Sequence, residues 1–420
     1  MRKFAQYFLI LIITFFLGIT ALIFCNCTPA KTQTNPSTPN SGQVTRPQKE
    51  IKIVGERPLS ETENAYNPLP NPDGSLIAYI RTGWDRPGGS GGVGRSNLVS
   101  DVMVMDANGN VVTEQSIDDG FIYGWTSDGK SLICFRDGKY SIVSSEGKIL
   151  KTGQMPKWSD SYDVSERVAF LPSNNSFLWL QNNYTNIKRA KTSEASEYMT
   201  KDFVRASIGN SENEFARFTS QLNVNGILVV SPDERYFALT GADSSRGDNS
   251  LWIYDRQNST WTNLGKIVIH PNSEWDYIKP SWNPWFADSS RIVFATASSI
   301  VISTPDGKTK QVISKPNQTS GLAVPSPDGK FIAYSTFEPR PMKLRADLQF
   351  WGNSTIWIVS AIANSKARSV TKKNEDTTVS LHWLNDNQLV FDRIADEIFY
   401  KKARLWKVDV SDSRNERETK

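Results

Sequence analysis

The sequence predicts an all-β fold: about seven antiparallel units closed into a β-propeller, six units being the alternative, behind an apolar N-terminal segment. Three observations predict it: an Asp-centred turn that returns along the chain, a pair of apolar strands after each turn, and one unpaired apolar strand ahead of the first repeat.

Pro72-Asp73-Gly74 stands before Leu76-Ile77-Ala78-Tyr79, Asp128-Gly129 before Leu132-Ile133-Cys134-Phe135, and Pro232-Asp233 before Tyr236-Phe237-Ala238-Leu239. Asp288 precedes Ile292-Val293-Phe294, Pro327-Asp328-Gly329 precedes Phe331-Ile332-Ala333-Tyr334, and Asp386 precedes Leu389-Val390-Phe391. A drifted copy runs from Asp163 through Val168-Ala169-Phe170. Pro fixes φ, Asp bonds its own backbone and Gly accepts φ > 0, which together make a tight hairpin. A second strand follows each copy, at 102–105, 140–143, 177–180, 251–254, 300–302, 356–359 and 405–408. Trp125, Trp285 and Trp383 each stand three residues before the turn Asp, where the first strand of a unit ends against its neighbour.

One unit buries too little apolar surface to offset the entropy of ordering it, so units must stack, either as an open array with capped ends or as a closed ring. After Val410 the chain is polar with no further strand, whereas Ile51-Lys52-Ile53-Val54 is apolar and unpaired. The N-terminal strand is therefore expected to complete the last unit and remove the free edges. The propeller is assigned to 51–411 and a polar tail to 412–420.

The composition, 38% hydrophobic and 22% charged with 13 Trp, 13 Tyr and 20 Phe, fills a large core. A net charge of +4, with Lys and Arg interspersed among Asp and Glu, argues against nucleic acid as a partner. Arg2 and Lys3 precede an apolar run from Phe4 to Phe24, an export signal or membrane anchor that delivers the rest of the chain to the far side of a membrane. Residues 1–27 are read as this segment and 28–50, rich in Pro, Thr, Ser, Asn and Gln, as a flexible tether. Cys25 and Cys27 sit where the run stops, and Leu22 with Cys25 resembles a bacterial lipoprotein signal. Phe24 departs from that pattern, which wants Gly, Ala or Ser there, so lipidation at Cys25, an uncleaved anchor and a cleaved secreted form all stay open. Cys134, in an apolar strand, is expected to be a small core residue.

Ser326 to Tyr334 with Ile356-Trp357 resembles the Pro-Asp-Gly repeat of TolB-like β-propellers, and the resemblance covers about 51 to 411. It implies the fold and carries over no functional residue. The additional α/β domain of TolB and the hydrolase domain of related peptidases are not expected within the 420 residues.

No catalytic set, cofactor or metal site is expected. His270 and His382, the two histidines, are not at ligand spacing and read as a loop residue and a strand-packing residue. Gly89 to Ser96 approaches a phosphate-binding loop, but Arg95 replaces the required Lys and a strand follows. No nucleophile elbow or calcium loop is present.

Loop length carries the functional expectation. Short turns fall on one side of the ring. Long links at Arg81–Asn97, Gly241–Asn249, Phe337–Ser354 and Arg393–Ala403, with Lys191–Asn223 and His270–Ser281 between units, fall on the other. The segment Glu194 to Leu222 is expected to be helical in part. The long-loop side presents Trp84, Arg86, Arg95, Trp275, Tyr277, Arg340, Arg345, Trp351, Arg393 and Tyr400, a composition typical of protein-binding hot spots, although each aromatic could instead pack its loop onto the ring. The reading is a membrane-tethered, extracytoplasmic scaffold with a protein partner in the cell envelope; the alternative is a propeller that binds or acts on an envelope polysaccharide.

Overall fold

The computed structural model describes 51–60, 64–83, 99–113, 121–136, 139–154, 168–171, 176–183, 200–207, 210–219, 228–241, 250–270, 282–341, 349–363, 365–372, 376–395 and 402–412. All lie in the unit Lys49–Lys420. Among them there is no helix, and the strands form seven antiparallel sheets.

Strand β1 (Ile51–Pro58) comes first among the described residues. The first sheet is β2 (Ala65–Pro70), β3 (Leu76–Gly83) and β4 (Val99–Asp106); the second is β5 (Phe121–Trp125), β6 (Ser131–Arg136), β7 (Lys139–Ser144) and β8 (Ile149–Gln154). The third holds β9 (Val168–Leu171), β10 (Ser176–Asn183), β11 (Thr200–Ser207) and β12 (Asn210–Thr219), and the fourth β13 (Leu228–Val230), β14 (Tyr236–Gly241), β15 (Ser250–Asp255) and β16 (Thr260–Lys266). In the fifth are β17 (Ile292–Ala295), β18 (Ile300–Ser303) and β19 (Lys310–Ser314); in the sixth, β20 (Thr319–Pro325), β21 (Phe331–Pro341), β22 (Gln349–Ser360) and β23 (Arg368–Ser369). The seventh sheet runs β24 (Leu381–Asn385), β25 (Gln388–Ile394), β26 (Ala403–Asp412) and then β1, so the first strand of the chain completes the last sheet, from Ile51 opposite Asp412 to Pro58 opposite Trp406.

The recurring turn has one hydrogen-bond plan. In the sixth sheet Ser326 Oγ donates to Asp328 Oδ1 at 2.7 Å and accepts the Phe331 N–H at 3.0 Å, while Lys330 N–H also donates to Asp328. Ser231 with Asp233, and Thr126 with Asp128, repeat it. The residue after the Asp takes positive φ in five of these turns, as Gly74, Gly129 and Gly329 or, at a strain cost, as Glu234 and Ser289, but not as Asn387 after Asp386.

The apolar faces of the sheets meet in clusters at successive junctions. Leu384, Val390 and Leu405 of the seventh sheet join Ile77, Tyr79 and Met103 of the first; Ala78 and Val104 join Trp125 and Leu132 of the second. The predicted tryptophans hold these junctions. Trp125, Trp285 and Trp383 donate their indole N–H to Leu69, Val229 and Val324 carbonyls 56, 56 and 59 residues earlier, in the preceding sheet.

Two expectations need correction. Val168-Ala169-Phe170 is not the second strand of its unit: β9 pairs with β10, which continues to β11 and β12, and β9 contacts β5 and β13, the opening strands of the sheets on either side. The drifted copy therefore stands one strand out of step with the others. The segment Glu194 to Leu222 is not helical where it is described, since 200–207 and 210–219 pair as β11 and β12, the outer half of the third sheet. Its alternating Lys201, Asp202, Arg205, Glu212, Glu214 and Arg217 leave few apolar residues to mark strands.

Candidate interaction face

Of the predicted face, Trp84, Arg86, Arg95, Trp275, Tyr277, Arg345 and Tyr400 lie outside the described residues, as does Cys25. Arg340, Trp351 and Arg393 are described, and they have different roles.

Arg340 and Trp351 belong to one long hairpin. Phe337 to Ser354, read as a loop, is instead largely β21 and β22 carried outward, with 342–348 outside the described residues. The inner neighbour β20 pairs with β21 as far as Phe337, opposite Thr319. Beyond it Pro339 faces Trp351 and Arg340 faces Phe350 as a two-stranded ribbon. A register shift between Thr336 and Glu338 and a positive φ of 48° at Asn353 mark where the ribbon leaves the sheet. Gln318 donates its side-chain amide to Glu338, and Thr377 Oγ1 donates to the Trp351 carbonyl at 3.0 Å, which fixes both sides of the ribbon base. Trp351 is half-buried and packs on the main apolar cluster, so its ring anchors the ribbon, while Arg340 stands one residue farther out and half-buried. Pro339 and Pro341 lack an N–H, which keeps this outer edge from pairing with another strand.

Arg393 is buried. Its guanidinium pairs with Glu56 of β1, their side chains 10% and 16% exposed, and lies over Trp406 with its carbon 4.5 Å from the ring centroid. Burial pulls the Arg393 pKa down and pushes that of Glu56 up, and each partner's charge opposes the other's shift. The neighbouring Asp392 is wholly buried and accepts N–H groups from Val379 at 2.8 Å, Ser380 at 3.1 Å and Asn67 of the first sheet at 3.0 Å. Sequence reasoning ended the apolar run at Phe391 and so missed it; the signal was a carboxylate directly continuing a strand of Leu, Val and Phe.

The histidines are core residues. His270, read as a loop residue, is 1% exposed, with Nε2 3.0 Å from Thr377 Oγ1 and its ring edge-on to Phe337; burial pulls its pKa to about 3. Burial likewise takes His382 to about 4, so both are neutral at physiological pH. Cys134 is buried in β6 and its thiol is pushed up to about 12. Among the described residues no three His, Cys, Asp or Glu side chains are placed to hold a metal.

These sheets, stacked face to face with the N-terminal strand in the last, match solved propellers. An oligogalacturonate lyase from Vibrio parahaemolyticus is similar at 12% identity over 87% of this chain and 99% of that chain, with a TM-score of 0.53. The chain folds as a β-propeller. The acylaminoacyl peptidase of Pyrococcus horikoshii is similar at 10% identity and a TM-score of 0.52, and the propeller covers 84% of its own length against 52% of the peptidase. TolB structures are among the similar ones too, as the repeats imply; that of Acinetobacter baumannii has 16% identity over 74% of this chain and 64% of that chain, with a TM-score of 0.36. No family model matches the chain. No curated protein matches it.

Proposed function

We propose that the chain is a seven-bladed, extracytoplasmic propeller tethered to the membrane through 1–27, with 28–50 as spacer, and that it serves as a protein-interaction scaffold of the cell envelope. It binds through the side where the second-to-third-strand links leave. The observation that carries this reading is the β21–β22 ribbon, which runs past its neighbour β20 and carries a half-buried Arg340 beyond an anchored Trp351. A rigid ribbon holds an Arg at low entropic cost, the condition for a binding hot spot. Arg393, by contrast, is committed to Glu56 and takes no part in the face. The face also includes Trp84, Arg86, Arg95, Trp275, Tyr277, Arg345 and Tyr400, with lipidation of Cys25 as one form of the tether.

In-cell crosslinking with mass spectrometry, on the full chain and on Arg340→Glu, tests the reading. The expected result is an envelope protein crosslinked to the wild type and weakened by at least about tenfold in the variant. Retention on an envelope polysaccharide array with no crosslinked protein would overturn it.

A further inference from the structure

A second feature lies away from the ribbon tip, along the junction of the fifth and sixth sheets. Among the described residues β19 is the outermost strand of its sheet, so one row of its amide and carbonyl groups has no ladder partner. The opposing outer strand β23 is only 2 residues long, which leaves the outer wall of the sixth sheet set back. Between them is a groove of about 700 Å³, within the size range of ligand sites. Tyr334 and Trp357 form its floor and Val312, 40% exposed, sits on the β19 side.

One hydrogen bond joins its two sides and another fixes its floor. Ser314 Oγ lies 3.1 Å from Tyr334 OH, and the Trp357 indole N–H donates to Thr336 Oγ1 at 2.9 Å. Neither 308–318 nor 365–372, the stretches along its two sides, contains an Asp or Glu; the carboxylate at its end, Glu338, accepts from the Gln318 amide. Lys308 is paired with Asp306 and Lys310 donates to the Leu264 carbonyl. Lys315 is an exposed lining residue, and the exposed Lys366 and Arg368 alternate with the lining residues Ser365 and Ala367.

We infer that this groove docks an acidic peptide, which enters extended and adds to the open edge of β19. A peptide alone offers the alternating N–H and C=O groups that an unpaired strand edge takes up, and alternate side chains would then face the apolar floor and the basic rim. The groove meets the ribbon base at Gln318 but does not include Arg340, so this assignment does not rest on the function proposed above.

Fluorescence anisotropy with a labelled octapeptide of alternating Glu and Val tests it, alongside the same peptide N-methylated at every Val and a hexuronic acid tetramer. The expected result is binding that weakens on the order of tenfold with N-methylation and again in the exposed double variant Lys315→Glu, Lys366→Glu, whose thermal melt stays that of the wild type. Absence of peptide binding, equal affinity for the methylated peptide, indifference to charge reversal, or tighter binding of the uronic acid would each overturn the assignment.

Discussion

The Ser326 hydroxyl is 1% exposed and makes two bonds within one turn, donating to Asp328 and accepting from the Phe331 N–H. Removing it leaves the Phe331 amide without its acceptor at the start of β21 and loosens the carboxylate that also receives Lys330 N–H. A buried donor deprived of its acceptor costs about 1–3 kcal/mol. Ser326→Ala is therefore expected to lower stability by that amount in urea titration, and Ser326→Thr, which keeps a hydroxyl, by less. A loss under about 0.5 kcal/mol in the Ala variant would mean that the turn is set by its backbone alone. The Asp328 N–H reaches Asp386 Oδ1 in the next sheet at 2.8 Å, and Asp233 N–H reaches Ser289 Oγ at 3.0 Å, so these turns also join neighbours.

At the scale of the element, the Asp-Gly turn of the first sheet is pressed against the last. A Cβ added to Gly74 would lie 1.9 Å from the Leu384 carbonyl oxygen, at a φ of 72° that already disfavours any side chain. The obstruction is backbone, so it cannot rotate away. Gly74→Ala is expected to cost about 3 kcal/mol or more, while Gly129→Ala, whose Cβ would meet only Asn71 and Pro72 side chains at 3.2–3.3 Å, should cost less; thermal melts of the two variants check the order. Such turns, with their apolar strand pairs, were legible in the sequence because Asp, Gly and alternation are local signals, and β3, β6, β14, β17, β21 and β25 stand where the turns placed them. Where the local signal failed, so did the reading. Pro172-Ser173-Asn174-Asn175 links β9 to β10 without an Asp-Gly, so the Asp163 segment upstream carries the stronger turn signal in sequence. Charged side chains along β11 and β12 hid two strands whose partners, not their own polarity, decide their conformation. The candidate site was less legible than the fold. Arg340 and Arg393 look alike in sequence, and only the long-range partner Glu56 separates the half-buried ribbon residue from the buried pair.

The ring is joined between its first and last sheets, and the buried carboxyl that does so titrates in the opposite sense to the turn carboxylates. Asp392 ties the seventh sheet to Asn67 of the first across 325 residues, and beside it Arg393 holds Glu56 of β1. Burial raises the Asp392 carboxyl to about 6, against the pull of the backbone N–H groups that it accepts. A carboxyl with a raised folded pKa contributes stability that is present below about pH 4 and lost as pH rises to about 6, here about 3 kcal/mol. The turn carboxylates do the reverse. Hydroxyl donors from Ser75, Thr126, Ser290 and Thr304 hold Asp73, Asp128, Asp288 and Asp306 below their usual range, Asp306 at about 2. Their contribution is present above about pH 4 and lost as pH falls toward 2. The melting temperature is therefore expected to peak near pH 4, to fall steeply in acid, and to fall again more gently between pH 4 and 6 before levelling. Asp392→Asn removes the second limb because an amide does not titrate. It also sets an NH₂ against one of the three N–H donors, so the variant should be less stable than the wild type at pH 4 by more than at pH 7. If calorimetry across this range finds the same slope between pH 4 and 6 in both proteins, the buried carboxyl at the ring seam does not set the neutral limb.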